Sequence, residues 1–422
     1  MKRISRGARA AMAGVIASAA VAATVVAAHA TGEAPTASSP AATPASGPAL
    51  FGIHDSAVKA CDGNETAVPP LSAKQLGEAA SSFNDSRWAA LNVHNARVIV
   101  PWDIAAPGHL ANEPRLRAVS QCFDAWLTAA AAHGVTPEVV FQGDLADPAG
   151  KAATPKVRDY VNAIADFRDR YVSCGANCGG RARVTNIAPW NEPDETVDSF
   201  QRVDPDTAAQ FWVAVQHHIK DAGCSDCIVV AGDFTGNGRN YTPGHGDNYL
   251  RQYNAAIVRH TNHKAADQPR IWAAHPYSDI DKCEGKIAAG QKCGGPQDTT
   301  TADFTRELKE LGYNKYTSVW LDELSVFQGQ DFGGHPMPSW TAGTQNLAAH
   351  YLLYTLVNAG GRSASTSDQP VVTRVYYLRY DDADSSRALV VGSGYDNNTG
   401  AVTGGTTVPA YDMFRTRKAP WR

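Results

Sequence analysis

Eight apolar runs rich in Val and Ile recur along the chain at intervals of roughly forty to fifty residues, at 50–53, 96–100, 137–141, 184–188, 227–231, 270–274, 317–321 and 371–378. Continuous rather than alternating apolar runs suit parallel strands covered on both faces. Between them lie amphipathic stretches of helical period at 118–133, 155–171, 206–222, 241–260, 301–311 and 340–358. Strand alternating with helix, eight times at a near-constant interval, predicts an α/β fold of the closed (β/α)8 TIM-barrel type. A doubly wound open sheet is the other architecture with this rhythm, but it calls for a Gly-rich phosphate turn after the first strand. His54-Asp55-Ser56 stands there instead. Neither an internal repeat nor a linker interrupts the pattern, so one domain from 49 to 422 is the simplest reading. A last helix is expected near 407–414, with Pro409 in its first turn.

The first thirty residues read differently. Lys2, Arg3, Arg6 and Arg9 precede a weakly apolar, Ala-rich stretch, and Ala28-His29-Ala30 offers an A-x-A cleavage site. Residues 1–30 are therefore expected to be a secretory signal peptide, and 31–48, almost all Ala, Thr, Pro, Ser and Gly, a flexible leader. The expected protein is secreted, extracellular, free of the membrane after cleavage, and monomeric. A net charge of −4 with no Lys/Arg cluster argues against nucleic acid as a partner.

The chain has eight cysteines, an even number that suits an oxidising compartment. Local spacing pairs Cys174 with Cys178, Cys224 with Cys227 and Cys283 with Cys293, which leaves Cys61 for Cys122. Cys224-Ser-Asp-Cys227 has half a zinc site's spacing, but no second C-x-x-C or His pair completes one.

Two carboxylates stand out from this frame. Trp190-Asn191-Glu192-Pro193 closes the fourth apolar run, and Asp322-Glu323 closes the seventh, 131 residues further on. In a (β/α)8 barrel the chemistry lies where strands end. A pair of carboxyl groups there meets the need of glycosidic-bond hydrolysis: one keeps a proton for the leaving oxygen and the other stays ionised beside the anomeric carbon. Asn191 as a helix N-cap and Asp322 or Glu323 as a salt-bridge partner are the structural readings of the same residues.

The two motifs resemble those of the retaining glycoside hydrolases of clan A, in which an Asn-Glu-Pro turn follows strand four and a Glu ends strand seven. The resemblance implies Glu192 as acid/base and Glu323 as nucleophile, with no cofactor, no metal and a carbohydrate substrate. One departure is Asp322, where a Thr or Gly more often precedes the nucleophile. By the same likeness Asn191 would meet the sugar 2-hydroxyl, and His275-Pro276-Tyr277, after the sixth run, would place Tyr277 on Glu323 and His275 on the subsite or the acid/base. Arg97 matches an arginine that pairs with the nucleophile, although it stands early in its run. His54 and Trp102 follow strands one and two as further subsite candidates. Trp190, Trp102 and Trp340 are candidate platforms for sugar rings. Trp190 and the Glu323 charge are expected to keep Glu192 protonated. The Cys283–Cys293 loop and the segment 328–339 would decide exo or endo action on a polysaccharide or oligosaccharide that is expected to be β-linked.

Two other classes compete. A non-catalytic carbohydrate-binding barrel would lack one of the carboxylates. A metal-dependent hydrolase on the same fold could draw on His54, His94, His133, His217, His218, His275 and His335, but no His-x-His follows the first strand and no His-Glu-x-x-His occurs.

Overall fold

The computed structural model describes residues 50–55, 70–143, 154–174, 178–195, 202–235, 248–264, 267–277, 279, 300–323, 368–378, 380–382, 389–395, 402–407 and 409–416, all within the compact unit Pro40–Arg422. The expected signal peptide and leader, Cys61, Cys283, Cys293, His335, Trp340, the segment 328–339 and the helix expected at 340–358 lie outside the described residues.

One sheet of nine strand segments carries the architecture: β1 (Leu50–His54), β2 (Asn95–Pro101), β3 (Thr136–Gln142), β4 (Asn186–Ala188), β5 (Ile228–Val229), β6 (Ala231–Phe234), β7 (Ile271–Ala274), β8 (Ser318–Leu321) and β9 (Val371–Leu378). The order across it is β5-β4-β3-β2-β1-β9-β8-β7-β6, and its pairings are parallel throughout. The two ends of that order, β5 and β6, are separated in the chain by Val230 alone, whose N–H bonds to Ile187 O at 2.9 Å. The sheet therefore closes on itself through one broken strand, and the fold is an eight-stranded parallel (β/α)8 barrel.

Strand alternation assigns the two faces. Val139, Ile187, Val229, Trp272, Val319 and Val375 join the main core with the helices. Their strand neighbours Val140, Ala188, Val230, Ala273 and Trp320 form a separate cluster, which fills the barrel interior. Both sets are buried, as the unbroken apolar runs predict.

The longer helices are α1 (Pro114–Ala132), α2 (Val157–Phe167), α3 (Pro205–Val215), α4 (Tyr249–His260), α5 (Thr300–Glu310) and α6 (Pro409–Thr416). α1 starts four residues ahead of the expected 118, because Pro114 suits a first turn that needs no N–H. α4 starts at Tyr249 rather than 241, where Asn248 Oδ1 accepts from Arg251 N at 3.1 Å and caps it. A small sheet of β10 (Asp381–Asp382), β11 (Val390–Tyr395) and β12 (Val402–Thr407) follows the barrel strands. It was not expected, and it moves the start of the last helix from 407 to Pro409.

The fifth run also needed correction. Its expected end was Ala231, but β6 continues through Gly232-Asp233-Phe234. Gly and Asp are poor strand formers; here they carry an irregularity in the pairing with β7. Gly232 (φ 95°) lies so close to the Phe234 ring and to Ala273 O, 2.4 and 2.9 Å from an ideal Cβ, that no side chain fits.

Disulfides join Cys174 to Cys178 and Cys224 to Cys227, with Cα separations of 4.8 and 5.2 Å. Both precede their strands, at the opposite end from the two glutamates. Cys122 is disulfide-bonded, and among the described residues no cysteine is free. No described helix is long and apolar enough to cross a membrane.

Gly52 of β1 faces the buried Tyr376 ring, which an ideal Cβ would meet at 2.3 Å. Gly52→Ala is expected to lower the unfolding free energy by about 1–3 kcal/mol through overpacking. In a Tyr376→Leu background that loss should shrink. Equal losses in both backgrounds, measured by denaturant titration, would clear the ring as the cause.

Candidate active site

The Asn-Glu turn is held from both sides. Pro189 O accepts from the buried Tyr160 hydroxyl at 2.6 Å. Asn191 N bonds to Phe141 O of β3 at 2.8 Å, and Glu192 N to Asp233 O of β6 at 2.9 Å. Asp194 accepts from Thr235 N at 3.0 Å and from its hydroxyl at 3.3 Å. Glu192 (φ 45°) and Asp233 (φ 68°) both adopt left-handed backbone. Such strain costs on the order of 1 kcal/mol per residue and persists only where the surroundings enforce it.

Glu323 stands just past the end of β8. Its Oε1 accepts from the Tyr277 hydroxyl at 2.5 Å, and its Oε2 from Arg97 Nη1 at 2.7 Å, with His54 Nδ1 at 3.2 Å. His275, entirely buried, directs Nδ1 to Glu192 Oε1 at 2.8 Å and Nε2 to Asp233 Oδ1 at 3.1 Å. Asp322 Oδ1 lies 3.5 Å from the same Nε2. The Arg97 guanidinium, also fully buried, reaches Asp233 Oδ2 and Asn191 Oδ1, each at 2.8 Å, lies beside Asp322 with Nε 3.9 Å from Oδ2, and contacts His54. Arg97 comes early in β2, but β1 is shorter, and the register pairs Arg97 with His54, the last residue of β1. That pairing lifts it to the level of the glutamates.

The structure thus brings Glu192, Glu323, Asn191, His275, Tyr277, Arg97 and His54 together. Each glutamate side chain is 13 % exposed, while Arg97, His54 and His275 are buried. Trp190 is a correction. At 5 % exposure its ring packs on Tyr160 and Phe211 in the main core, so it offers no platform to a sugar. Trp102 stands at the end of β2 against Tyr160 and His109. Sequence reasoning missed Asp233, hidden by the early end assigned to the fifth strand, and Glu138, masked by an otherwise apolar run.

The two glutamates are driven apart in acidity. Burial raises the pKa of Glu192, the Glu323 charge adds to this, and the opposing pull of His275 does not cancel them. Burial would raise Glu323 as well, but His275, His54 and Arg97 outweigh it and hold Glu323 well below the carboxylate range. Burial would lower His275, yet Glu323 and Asp233 raise it well above the usual histidine range. Burial and then the neighbouring Asp233 anion hold Asp322 protonated. Asp233 stays ionised, because Arg97 and His275 overcome its burial.

Glu192, His275 and Glu323 bring one donor atom each within 4.8 Å of one another, as do Asp233, His275 and Asp322. A divalent cation in either set would displace the contact that one nitrogen of His275 makes with its carboxyl partner. It would also sit beside the fixed charge of Arg97. The donor sets suit proton transfer better than cation binding.

No protein-family model matches this chain, and no curated protein does. Among solved structures it is similar to GH5_18 from Streptomyces cattleya in complex with GlcNAc, at 15 % identity and a TM-score of 0.52 over 88 % of this chain and 80 % of that one. It also matches the Penicillium canescens endo-1,4-β-xylanase XylE, at 14 % identity and TM-score 0.49, over 88 % and 94 % of the two chains. A family 5 xyloglucanase from Paenibacillus pabuli follows at 13 % identity and TM-score 0.46, over 88 % and 99 %. At 15 % identity the likeness to GH5_18 is one of fold.

Glu138 lies on the interior face of β3, and burial raises its pKa to about 7 against the charges of Arg374 and Arg97. A carboxyl whose folded pKa is raised stabilises the fold fully below its ordinary value of 4.5. That contribution fades as pH climbs to about 7. Glu138→Gln is expected to remove up to about 3 kcal/mol of this pH-dependent loss. Unfolding free energies of both proteins between pH 4 and 8 check it; parallel curves would absolve Glu138.

Proposed function

We propose that this chain is a secreted, retaining glycoside hydrolase of the clan A type, acting on a β-linked polysaccharide or oligosaccharide. The observation that carries the reading is the glutamate pair. Glu192 and Glu323 offer oxygens within 4.8 Å of each other at the C-terminal ends of barrel strands, with environments that protonate one and ionise the other. Carboxyl groups about 5–5.5 Å apart suit double displacement, whereas a water-mediated single displacement needs about 6.5–9.5 Å. The oxygen spacing supports the first.

In this reading Glu192 lends its proton to the glycosidic oxygen while a Glu323 oxygen attacks the anomeric carbon. Water then releases the sugar, with Glu192 as base. Arg97, His54 and Tyr277 hold Glu323 ionised and aimed. Asn191 has its carbonyl taken by Arg97, which turns the amide donors towards the sugar 2-hydroxyl.

A screen of polysaccharides and aryl glycosides tests the reading and names the sugar. Glu323→Gln should fall to background, and azide should rescue Glu323→Gly by forming a glycosyl azide of inverted configuration. An unaffected rate in Glu323→Gln would remove the nucleophile. Glu192→Ala should lose about 10²–10⁴-fold on poor leaving groups and far less on activated ones; equal losses on both would argue against an acid. Saturable sugar binding without hydrolysis would favour the binding barrel. The pH profile of kcat/KM should fall on the acid side as Glu323 gains a proton, below the usual carboxylate range. It should fall on the alkaline side as Glu192 loses its own, above that range.

A further inference from the structure

Beneath the two glutamates lies a set of buried ionisable groups that double displacement does not by itself require. Asp233 is fully buried, with Oδ2 taking Arg97 Nη2 at 2.8 Å and Oδ1 facing His275 Nε2 at 3.1 Å. The other ring nitrogen of His275, Nδ1, lies 2.8 Å from Glu192 Oε1. One imidazole therefore bridges the proposed acid/base to an anion clamped by an arginine. An ionised Asp233 fixes a proton on Nε2, which leaves Nδ1 facing the Glu192 oxygen with one proton between two atoms that can each hold it.

We propose that the proton Glu192 uses is shared with His275, and that Asp233 is the positioning residue that holds His275 in the tautomer the sharing requires. The inference rests on the reading of Glu192 as acid/base. As Glu192 gives its proton to the glycosidic oxygen, a Glu323 oxygen forms its bond to the anomeric carbon while the old bond breaks and leaves its electron pair on the glycosidic oxygen. Nδ1 is then left with a lone pair aimed at a carboxylate. Two facing acceptors repel, so the emptied pair is a strong base. It takes a proton from the water whose oxygen bonds to the anomeric carbon as the Glu323 oxygen leaves with its electron pair, and the shared proton is restored.

The charged groups around His275 decide how firmly that proton is held: Glu192 after β4, Asp233 of β6, Asp322 and Glu323 after β8, and Arg97 of β2, with the Tyr277 ring edge-on at 5.9 Å. Losing the proton adds negative charge to a cluster that already carries Asp233 and Glu323 as anions, and each anion resists the loss. Asp322, which keeps its own proton, adds none.

Asp233→Asn removes one of those anions. In kcat/KM profiles of the full chain on aryl glycosides, the alkaline limb should move down by about one pH unit. The accompanying loss should be larger for poor leaving groups than for good ones. A folded variant whose alkaline limb stays in place overturns the proposal. Because Asp233 also anchors the buried Arg97, the second arm uses the unaltered full chain. Imidazole ¹⁵N and glutamate carboxyl ¹³C resonances are followed with pH, with those of His275 identified by their loss in His275→Gln. The expected result is a protonated Nε2 throughout and a common midpoint for Nδ1 and Glu192. Separate midpoints, or an unprotonated Nε2, overturn it. This arm needs no substrate. Common titration in a chain that hydrolyses no glycoside would sink the glycosidase reading alone, and separate titration in an active enzyme would sink the proton sharing alone.

Discussion

The guanidinium of Arg97 is the point on which the site turns. It has no exposure to solvent and stands against the carboxyl groups of Asp233, Asp322 and Glu323, the carbonyl of Asn191 and the ring of His54. Burying a charge costs several kcal/mol after relaxation, and only close partners offset that cost. Here the partners come from β1, from the turns after β4 and β8, and from β6. The fork geometry of arginine fixes directions as well as charge. The same cation that keeps Glu323 ionised also orients Asn191 and anchors Asp233. A lysine would supply the charge and three donors, but from a single nitrogen in place of a planar fork.

From this one fixed charge the two glutamates acquire opposite character. Both are largely buried, which raises both carboxyls. What separates them is the distribution of neighbours: Arg97, His54 and His275 lower Glu323, while Glu192 has His275 alone and feels the Glu323 anion. The barrel is suited to such asymmetry, because each side chain arrives from a different strand and can be given different neighbours. Strain at Glu192 and Asp233 fits the same account. Their two left-handed residues face each other across the bond from Glu192 N to Asp233 O, and the neighbouring strands hold both in place.

Much of this was legible along the chain. The continuous apolar runs announced parallel strands covered on both faces, and the strand-end positions of Glu192, Glu323, His275 and Tyr277 marked the active end of a barrel. Residues whose role depends on register were harder to read. Arg97 stands third in β2, and only its pairing with His54 brings it level with the glutamates. Asp233 lies in a Gly-Asp pair that reads as the end of a strand, and the irregular pairing that keeps it within β6 is a matter of packing against Ala273 and Phe234. Trp190 misled in the opposite direction: an aromatic residue beside a catalytic-looking Glu suggests a ligand surface, but its ring has gone into the core with Phe211.

The sequence by itself determined the repeating strand-helix rhythm, the positions of the two glutamates at strand ends and the pairs Cys174–Cys178 and Cys224–Cys227, because these depend on periodicity and short-range spacing. Tertiary structure decided the closure of the sheet through a strand broken at Val230, the gathering of Arg97, Asp233, His275 and Asp322 beneath the glutamates, and the unequal acidity of Glu192 and Glu323. Those properties depend on shear between strands and on distances between side chains far apart in the chain, and neither is written in the order of the residues.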